Sequence, residues 1–313
     1  MAHGAEPGPT PSRDAPAAEP GPTPHLDVPT GTDPFADLDP TSRADALAVA
    51  SHLAGVGRLG VAFSGGVDSA VLLAVALRAL GPDAVVALLA VSPSLASDEH
   101  ELARAVASRL DARLVEFETH ETDLPAYRVN GADRCYHCKN TLFTTIDDRL
   151  AADLALDTVA YGENADDAVA PDRPGSRAAT EHRVLRPLAA AGITKARVRA
   201  LARALDLQVA DKPAAPCLAS RIPHGQEVTP EKLAQIEASE HALRILGFTD
   251  SRVRHHGDMA RIEVPVAELA RFADDTTREE ALRAIRATGF RHVTVDLAGL
   301  QSGAFTLSVL RRG

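Results

Sequence analysis

The apolar positions of this chain fall into short blocks whose period changes from one block to the next. Residues 1–40 show almost no apolar periodicity and are rich in Pro, Ala, Gly, Asp and Thr, so they are predicted to form a disordered tail. Between 41 and 57, Leu47, Val49, Leu53 and Val56 mark one face of an amphipathic helix. The run Leu59-Gly60-Val61-Ala62-Phe63 reads as a short buried strand, and the helix-forming stretch 70–80 follows it. A continuous apolar run covers 84–91. Ser97-Asp98-Glu99 then supplies an N-cap and an acidic first turn for a helix to 110, and 112–117 is another strand. A helix over 139–154 and a fourth strand over 158–161 complete the series. Strands that alternate with helices imply right-handed crossovers, an α/β class and a doubly wound parallel sheet, with ligands beyond the carboxyl ends of its strands.

Downstream the pattern changes. Thr194 caps a helix to 205, and 211–225 is a Pro-punctuated loop without periodicity, a length that inside a folded domain tends to serve function. Thr229-Pro230-Glu231 has the order of a helix start, and that helix runs to 246. Strands at 251–255 and 261–264, a helix over 279–288 and a strand at 292–297 predict a small C-terminal α+β domain. The expected division is thus a tail over 1–40, a domain over 41–228 and a second over 229–313.

Composition narrows the partners. The 313 residues carry a formal net charge of -10, which disfavours a nucleic-acid partner held by its phosphates. No apolar run approaches the ~18 residues that cross a bilayer, and no charged, then apolar leader opens the chain, so a cytoplasmic protein without membrane contact is expected. Three cysteines are too few and too odd in number for a disulfide framework, leaving reduced thiols with a chemical task or inert buried ones.

The chemistry concentrates in three stretches. Ser64-Gly65-Gly66-Val67-Asp68-Ser69 lies between a strand and a helix. There its glycines allow a tight turn, its N–H groups and two hydroxyls suit a phosphate, and Asp68 suits a Mg²⁺ bridging phosphates. Gly162-Glu163-Asn164-Ala165-Asp166-Asp167 follows the fourth strand and is placed either to face a nucleotide or to be a solvated turn. Cys135-Tyr136-His137-Cys138 is a CxxC, and Cys217 lies in the long loop. All three cysteines are expected in loops, with thiol pKa values lowered by Arg134, Lys139 and Arg221. A [4Fe–4S] cluster with one iron free of protein ligands, and zinc with His137 as fourth ligand, both suit such a set.

The string SGG-x-DS resembles the PP-loop of the ATP pyrophosphatases, which have a Rossmann-like fold and cleave ATP between the α- and β-phosphates. From Leu59 to Leu310 the chain resembles the LarE family of sulfur transferases, which make pyridinium-3,5-bisthiocarboxylic acid mononucleotide. The likeness is carried by the stretches above, Arg173-Pro174-Gly175, the run from Asp211-Lys212-Pro213 through Cys217 to Gly225, Arg252-Val253-Arg254, Gly289-Phe290-Arg291 and Ser302-Gly303. The resemblance implies ATP and Mg²⁺ at Ser64, Gly65, Gly66, Val67, Asp68 and Ser69, with Gly162, Glu163 and Asp166 beside them. It implies a pyridinium biscarboxylate nucleotide held by Ser220, Arg221, Glu240, Arg252 and Arg254, with Asp68, Arg221 and Cys217 taking part in the reaction. It also implies a homo-oligomer. Some members give up the sulfur of the cysteine matching Cys217; others bind a [4Fe–4S] cluster through three cysteines, which Cys135, Cys138 and Cys217 match. The competing functions are a tRNA-thiolating enzyme, which the acidic charge disfavours, an ammonia-using synthetase, which needs no thiols, and a non-catalytic nucleotide-binding protein.

Overall fold

A computed structural model describes residues 33–169 and 174–300. The tail over 1–32, Arg173 and Ser302-Gly303 lie outside the described residues. Residues 33–39, assigned by composition to the tail, are instead folded in. Phe35 is fully buried and Leu38 nearly so, while Asp39 caps helix α1 (Pro40–Ser51) by accepting from the N–H groups of Thr41 and Ser42. Two well-placed apolar side chains outweigh a tail-like composition.

The first region is a four-stranded parallel sheet. In chain order come β1 (Leu59–Ala62), α2 (Val67–Leu80), β2 (Val85–Val91), α3 (Ser97–Arg109), β3 (Arg113–Glu118), α4 (Pro125–Arg128), α5 (Arg134–Thr145), β4 (Thr158–Tyr161), α6 (Ala165–Ala168), α7 (Pro174–Glu181), α8 (Pro187–Ala190) and α9 (Lys195–Ala204). The strands lie in the order β3-β2-β1-β4 and all pair in parallel. Alternation along β2 shows why both faces are covered. Val85, Ala87 and Leu89 enter a core shared with α1, α2, α3 and α9, while Val86 and Leu88 enter a second core with Val159, Tyr161 and Phe143. The sheet is doubly wound, as the alternation of elements predicts. Chain order reverses between β1 and β4, so the crevice beyond their carboxyl ends is the switch point of the sheet.

Three local expectations change. Ser97 is the first residue of α3 rather than its cap; the cap position falls on Ala96, and the Ser97 N–H donates instead to Glu237 Oε1 at 2.6 Å. The CxxC lies in the first turn of α5 rather than in a loop, which puts Cys135 and Cys138 on one helix face at i, i+3. Beyond α5 a single π-helical turn over Ile146–Leu150 prolongs the helix.

The second region comprises α10 (Pro230–Ile245), β5 (Arg252–His256), β6 (Met259–Glu263), α11 (Asp275–Ala287) and β7 (His292–Val295). Thr229 caps α10 as its sequence predicts, accepting from the Lys232 N–H. β5 and β6 form an antiparallel hairpin across the two residues Gly257 and Asp258, with Gly257 at φ +69°. β7 pairs in parallel with β6, and Leu243, Phe248, Val253, Ile262, Ile285 and Phe290 fill the core between this sheet and its helices. Both regions belong to one compact unit that begins at Thr32. Among the described residues no helix is long and apolar enough to cross a membrane.

Candidate active site

The six-residue string sits at the switch point, directly after β1. Gly65 has φ +71°, and a Cβ on it would stand 2.8 Å from the Cα of Ala103 in α3, so only glycine lets the turn lie against that helix. Ser69 is buried at the start of α2; its hydroxyl donates to Gly66 O at 3.0 Å and accepts from the Ser64 N–H at 3.3 Å, which holds the loop closed on itself. Gly66 is the cap residue of α2 and makes no side-chain cap, leaving the first N–H groups of that helix directed at the crevice. Val67 is the first residue of α2 and packs into the core. Gly162, arriving from β4, closes the other side. A Cβ there would stand 2.7 Å from the carbonyl carbon of Asp68 and from Ser69 N.

Asp68 joins the loop after β1 to the acidic loop and to α9. Its Oδ1 accepts from Asn164 Nδ2 at 3.0 Å and its Oδ2 from Lys195 Nζ. Lys195 lies 127 residues away, and nothing in its own neighbourhood marks it as a site residue. The acidic loop supplies less free charge than its composition suggests. Glu163 is buried and accepts from Ser176 Oγ and, at 3.5 Å, from Arg186, while Asp166 accepts from the Lys195 N–H at 2.8 Å. Asn164 caps α6 through the Asp167 N–H.

The cysteine loop crosses the same edge of the sheet. Leu218 N–H donates at 2.9 Å to the carbonyl of Ser94, just beyond β2, and Arg134 donates to Asn130 Oδ1 at 2.5 Å and to the Ala219 carbonyl at 3.0 Å. Asn130 is fully buried at φ +57°, and its amide donates to the carbonyls of Ile222, Pro223 and Gln226. It knots the far half of the loop to the approach of α5, a role that its sequence position alone did not reveal. Residues 213–217 are all exposed and take no part in a helix or strand. Arginines hold them instead. Arg199 donates to the carbonyls of Ala210 (2.5 Å) and Lys212 (2.8 Å), Arg252 to that of Ala214 (3.3 Å), and Arg221 to that of Pro216 (2.5 Å). The accepting carbonyls fall on every second residue, the first in the turn over 208–211 and the others in the irregular stretch that follows it.

Arg221, Arg252 and Arg254, which the family resemblance implies as substrate ligands, all reach the loop of Cys217. All three are buried and meet the cysteine loop, Arg254 through the Ser220 carbonyl at 3.1 Å. Arg221 forms a buried bidentate pair with Glu240 (2.9 and 3.1 Å) and touches Ser220 Oγ at 3.0 Å, and Glu240 also accepts from the Val253 N–H. Arg254 pairs with Glu263 at 2.7 Å. Desolvation, followed by the charges of Arg221 and Arg254, lowers the pKa of Arg252, a sign of crowded positive charge.

The thiols depart from expectation. Burial pushes Cys138 well above its ordinary value, and the charges of Glu121, Cys217 and Cys135 push it the same way, against Arg134. Cys217 is exposed at the surface, yet the protein massed around its sulfur also raises it, with Arg134 and Arg221 opposing. Neutral thiols are thus favoured at both positions, because desolvation outweighs the arginines that were expected to win. Lys139 lies with its amine 4.0 Å over the Tyr161 ring. His137 Nε2 meets Asp133 at 3.1 Å. Among the described residues no three His, Cys, Asp or Glu side chains stand close enough together to hold a metal ion. The donor set itself, three soft sulfurs on two elements joined through Arg134, suits a soft metal or an iron–sulfur cluster.

A parallel sheet with an SGG-x-DS loop at its switch point defines a PP-loop protein, an ATP-using enzyme class. Consistent with this, the asparagine synthase family matches residues 46–156. The chain is 42% identical to an uncharacterised protein of Synechocystis over 243 residues, 78% of this chain and 90% of that one. It is 35% identical over 249 residues to the pyridinium-3,5-bisthiocarboxylic acid mononucleotide synthase of Lactiplantibacillus plantarum, 79% of this chain and 88% of that one. A protein of Methanocaldococcus jannaschii is 27% identical over 76% of this chain and 88% of its own length. The chain belongs to the family of the pyridinium-3,5-bisthiocarboxylic acid mononucleotide synthases, the LarE family.

Proposed function

We propose that this protein is an ATP-dependent sulfur transferase that converts the carboxylates of pyridinium-3,5-biscarboxylic acid mononucleotide to thiocarboxylates, in the biosynthesis of the nickel-pincer nucleotide cofactor. The observation that carries the proposal is that the SGG-x-DS loop after β1 and the loop of Cys217, which bonds to Ser94 after β2 and is held by three buried arginines, both lie beyond the carboxyl ends of neighbouring strands. Ser64, Gly65, Gly66, Val67 and Ser69 cradle the phosphates at the start of α2, with Gly162, Glu163 and Asp166 framing the pocket, and Asp68 holds Mg²⁺ in exchange for Lys195. A substrate carboxylate oxygen attacks the α-phosphorus, pyrophosphate leaves, and an acyl adenylate forms. A sulfur nucleophile then attacks the acyl carbon and AMP departs, leaving a thiocarboxylate and releasing a proton. AMP is the good leaving group that an unactivated carboxylate lacks.

Arg221, Arg252 and Arg254, with Ser220 and Glu240, orient the anionic nucleotide, a task that suits a fork of parallel donors. Cys135, Cys138 and Cys217, once drawn together, would hold a [4Fe–4S] cluster, which would supply the means to carry exogenous sulfide to the acyl adenylate. The products decide the first question. Labelled ATP should yield AMP and pyrophosphate, and Asp68→Asn should lower that yield by about tenfold or more; ADP as product would overturn the assignment. The sulfur source is decided by mass and spectrum together. Anaerobically reconstituted protein should show iron–sulfur absorption that is lost in Cys135→Ala, and should complete many turnovers with Cys217 intact. Dehydroalanine at position 217, indifferent to Cys135, would establish a sacrificed cysteine instead.

A further inference from the structure

Helix α9 touches both halves of the site from one face. Lys195 and Arg199 are four residues apart, hence stacked one turn above the other. Lys195 reaches the PP-loop carboxylate of Asp68, and Arg199 spreads its guanidinium over the carbonyls of Ala210 and Lys212, where the cysteine loop begins. The other anchors of residues 210–217 come from elsewhere: Arg221 lies in the loop that follows, Arg252 on β5, and Glu99 on α3 takes the Lys212 side chain. Ala210 and Lys212 close turns through their own N–H groups, to the carbonyls of Leu207 and Val209; beyond them Pro213 and Pro216 have no N–H to give, so the exposed residues 213–217 follow mainly what the carbonyls along this stretch accept. Of the arginines on those carbonyls, Arg199 alone stands on an element that also contacts the PP-loop.

We propose that Arg199 is a positioning residue that links occupancy of the nucleotide pocket to the placement of the cysteine loop. The link rests on the sulfur-transfer reading above and follows from a competition at Asp68. A Mg²⁺ ion arriving with ATP competes with the Lys195 amine for the Asp68 carboxylate, which would leave the first turn of α9 tied to the acidic loop by the bond from the Lys195 N–H to Asp166 and no longer to the PP-loop. One turn further along the same face, Arg199 carries that release to the carbonyls of Ala210 and Lys212, and so to Cys217 beyond them. The sulfur loop is then set for delivery only when there is a nucleotide to react with. An arginine suits this because a planar fork spans two carbonyls and fixes their spacing, which a lysine does not.

The test reads Cys217 directly. Full-length protein without a bound cluster and with its thiols reduced is labelled with iodoacetamide, and the rate at Cys217 is followed by peptide mass spectrometry with and without Mg·ATP. In the unmodified protein Mg·ATP should change that rate by about fivefold, and in Arg199→Gln the change should vanish. Arg199→Lys, which keeps the charge but not the two-carbonyl fork, should show a reduced response and serves in its place if the Gln variant fails to fold. Glu99→Gln frees the Lys212 side chain but leaves the carbonyl clamp, and should retain the response. With substrate and sulfide present, Arg199→Gln should lose sulfur transfer by about tenfold more than it loses pyrophosphate release. A nucleotide response of the same size in Arg199→Gln, or none in the unmodified protein, overturns the proposal. Because labelling needs no turnover, a protein that makes no thiocarboxylate would end the functional reading while still deciding the role of Arg199.

Discussion

Two glycines at the switch point of the sheet, Gly65 and Gly162, are there because a methyl group has nowhere to go. Gly162 is the sharper case, since its neighbours at 2.7 Å are backbone atoms of Asp68 and Ser69 and cannot rotate away as a side chain can. Gly162→Ala should push β4 and the start of α2 apart. We expect pyrophosphate release to fall by about tenfold or more while thermal stability changes far less; a fully active Ala variant would show that the contact is relaxed in solution. Residues of this kind were legible in sequence, because a glycine between a strand and a helix announces a turn. Lys195 and Asn130 were not. Their roles are contacts across 127 residues in one case and about 90 in the other, and sequence pattern reports only near neighbours.

Among the elements, the ones read most securely were those whose apolar period is continuous: β1, α2, β2, β4 and the capped helices α9 and α10. The misplacements share a physical cause. α5 begins five residues earlier than its composition suggests, because the polar Arg134 that opens it is buried against Asn130 and the Ala219 carbonyl. α3 looked self-capped but is capped by a distant partner. Glu237 of α10 accepts from Ser97 N, and Arg244 of the same helix pairs with Asp98 at 3.3 Å, so the start of α3 is tied to the second region. Glu237→Ala should cost about 1 kcal/mol in chemical denaturation, the usual worth of a lost cap. A change below a few tenths would mean that water replaces the carboxylate without loss.

At the scale of the whole molecule the doubly wound sheet was legible, but the tight join of its two regions was not, because it runs through arginines that local pattern assigns to the surface. Burial also leaves a pH signature. Desolvation, then the charge of Lys232, lowers the pKa of His255, which is 3% exposed and meets Gln235 at 3.1 Å; His256 is lowered for the same leading reason. A depressed histidine resists protonation when folded but titrates near 6.5 when unfolded. The unfolded chain therefore binds more protons below that value, and stability falls as the pH drops through 6.5. Glu116, held down to about 2 chiefly by Arg104, contributes its own loss only between 4.5 and that value. Melting temperature should thus decline already between pH 7 and 5.5, and His255→Gln should flatten that decline; an unaltered slope would assign it to other groups. The order of the strands carries a last consequence, for synthesis. β1 pairs with β4 about a hundred residues later, and Gly162, just after β4, closes on Asp68 and Ser69. A ribosome must therefore release about half of the chain before the switch point of the sheet can close around the SGG-x-DS loop, and Cys217 is made only after that, so on the proposed function the emerging protein cannot begin chemistry with a half-built site.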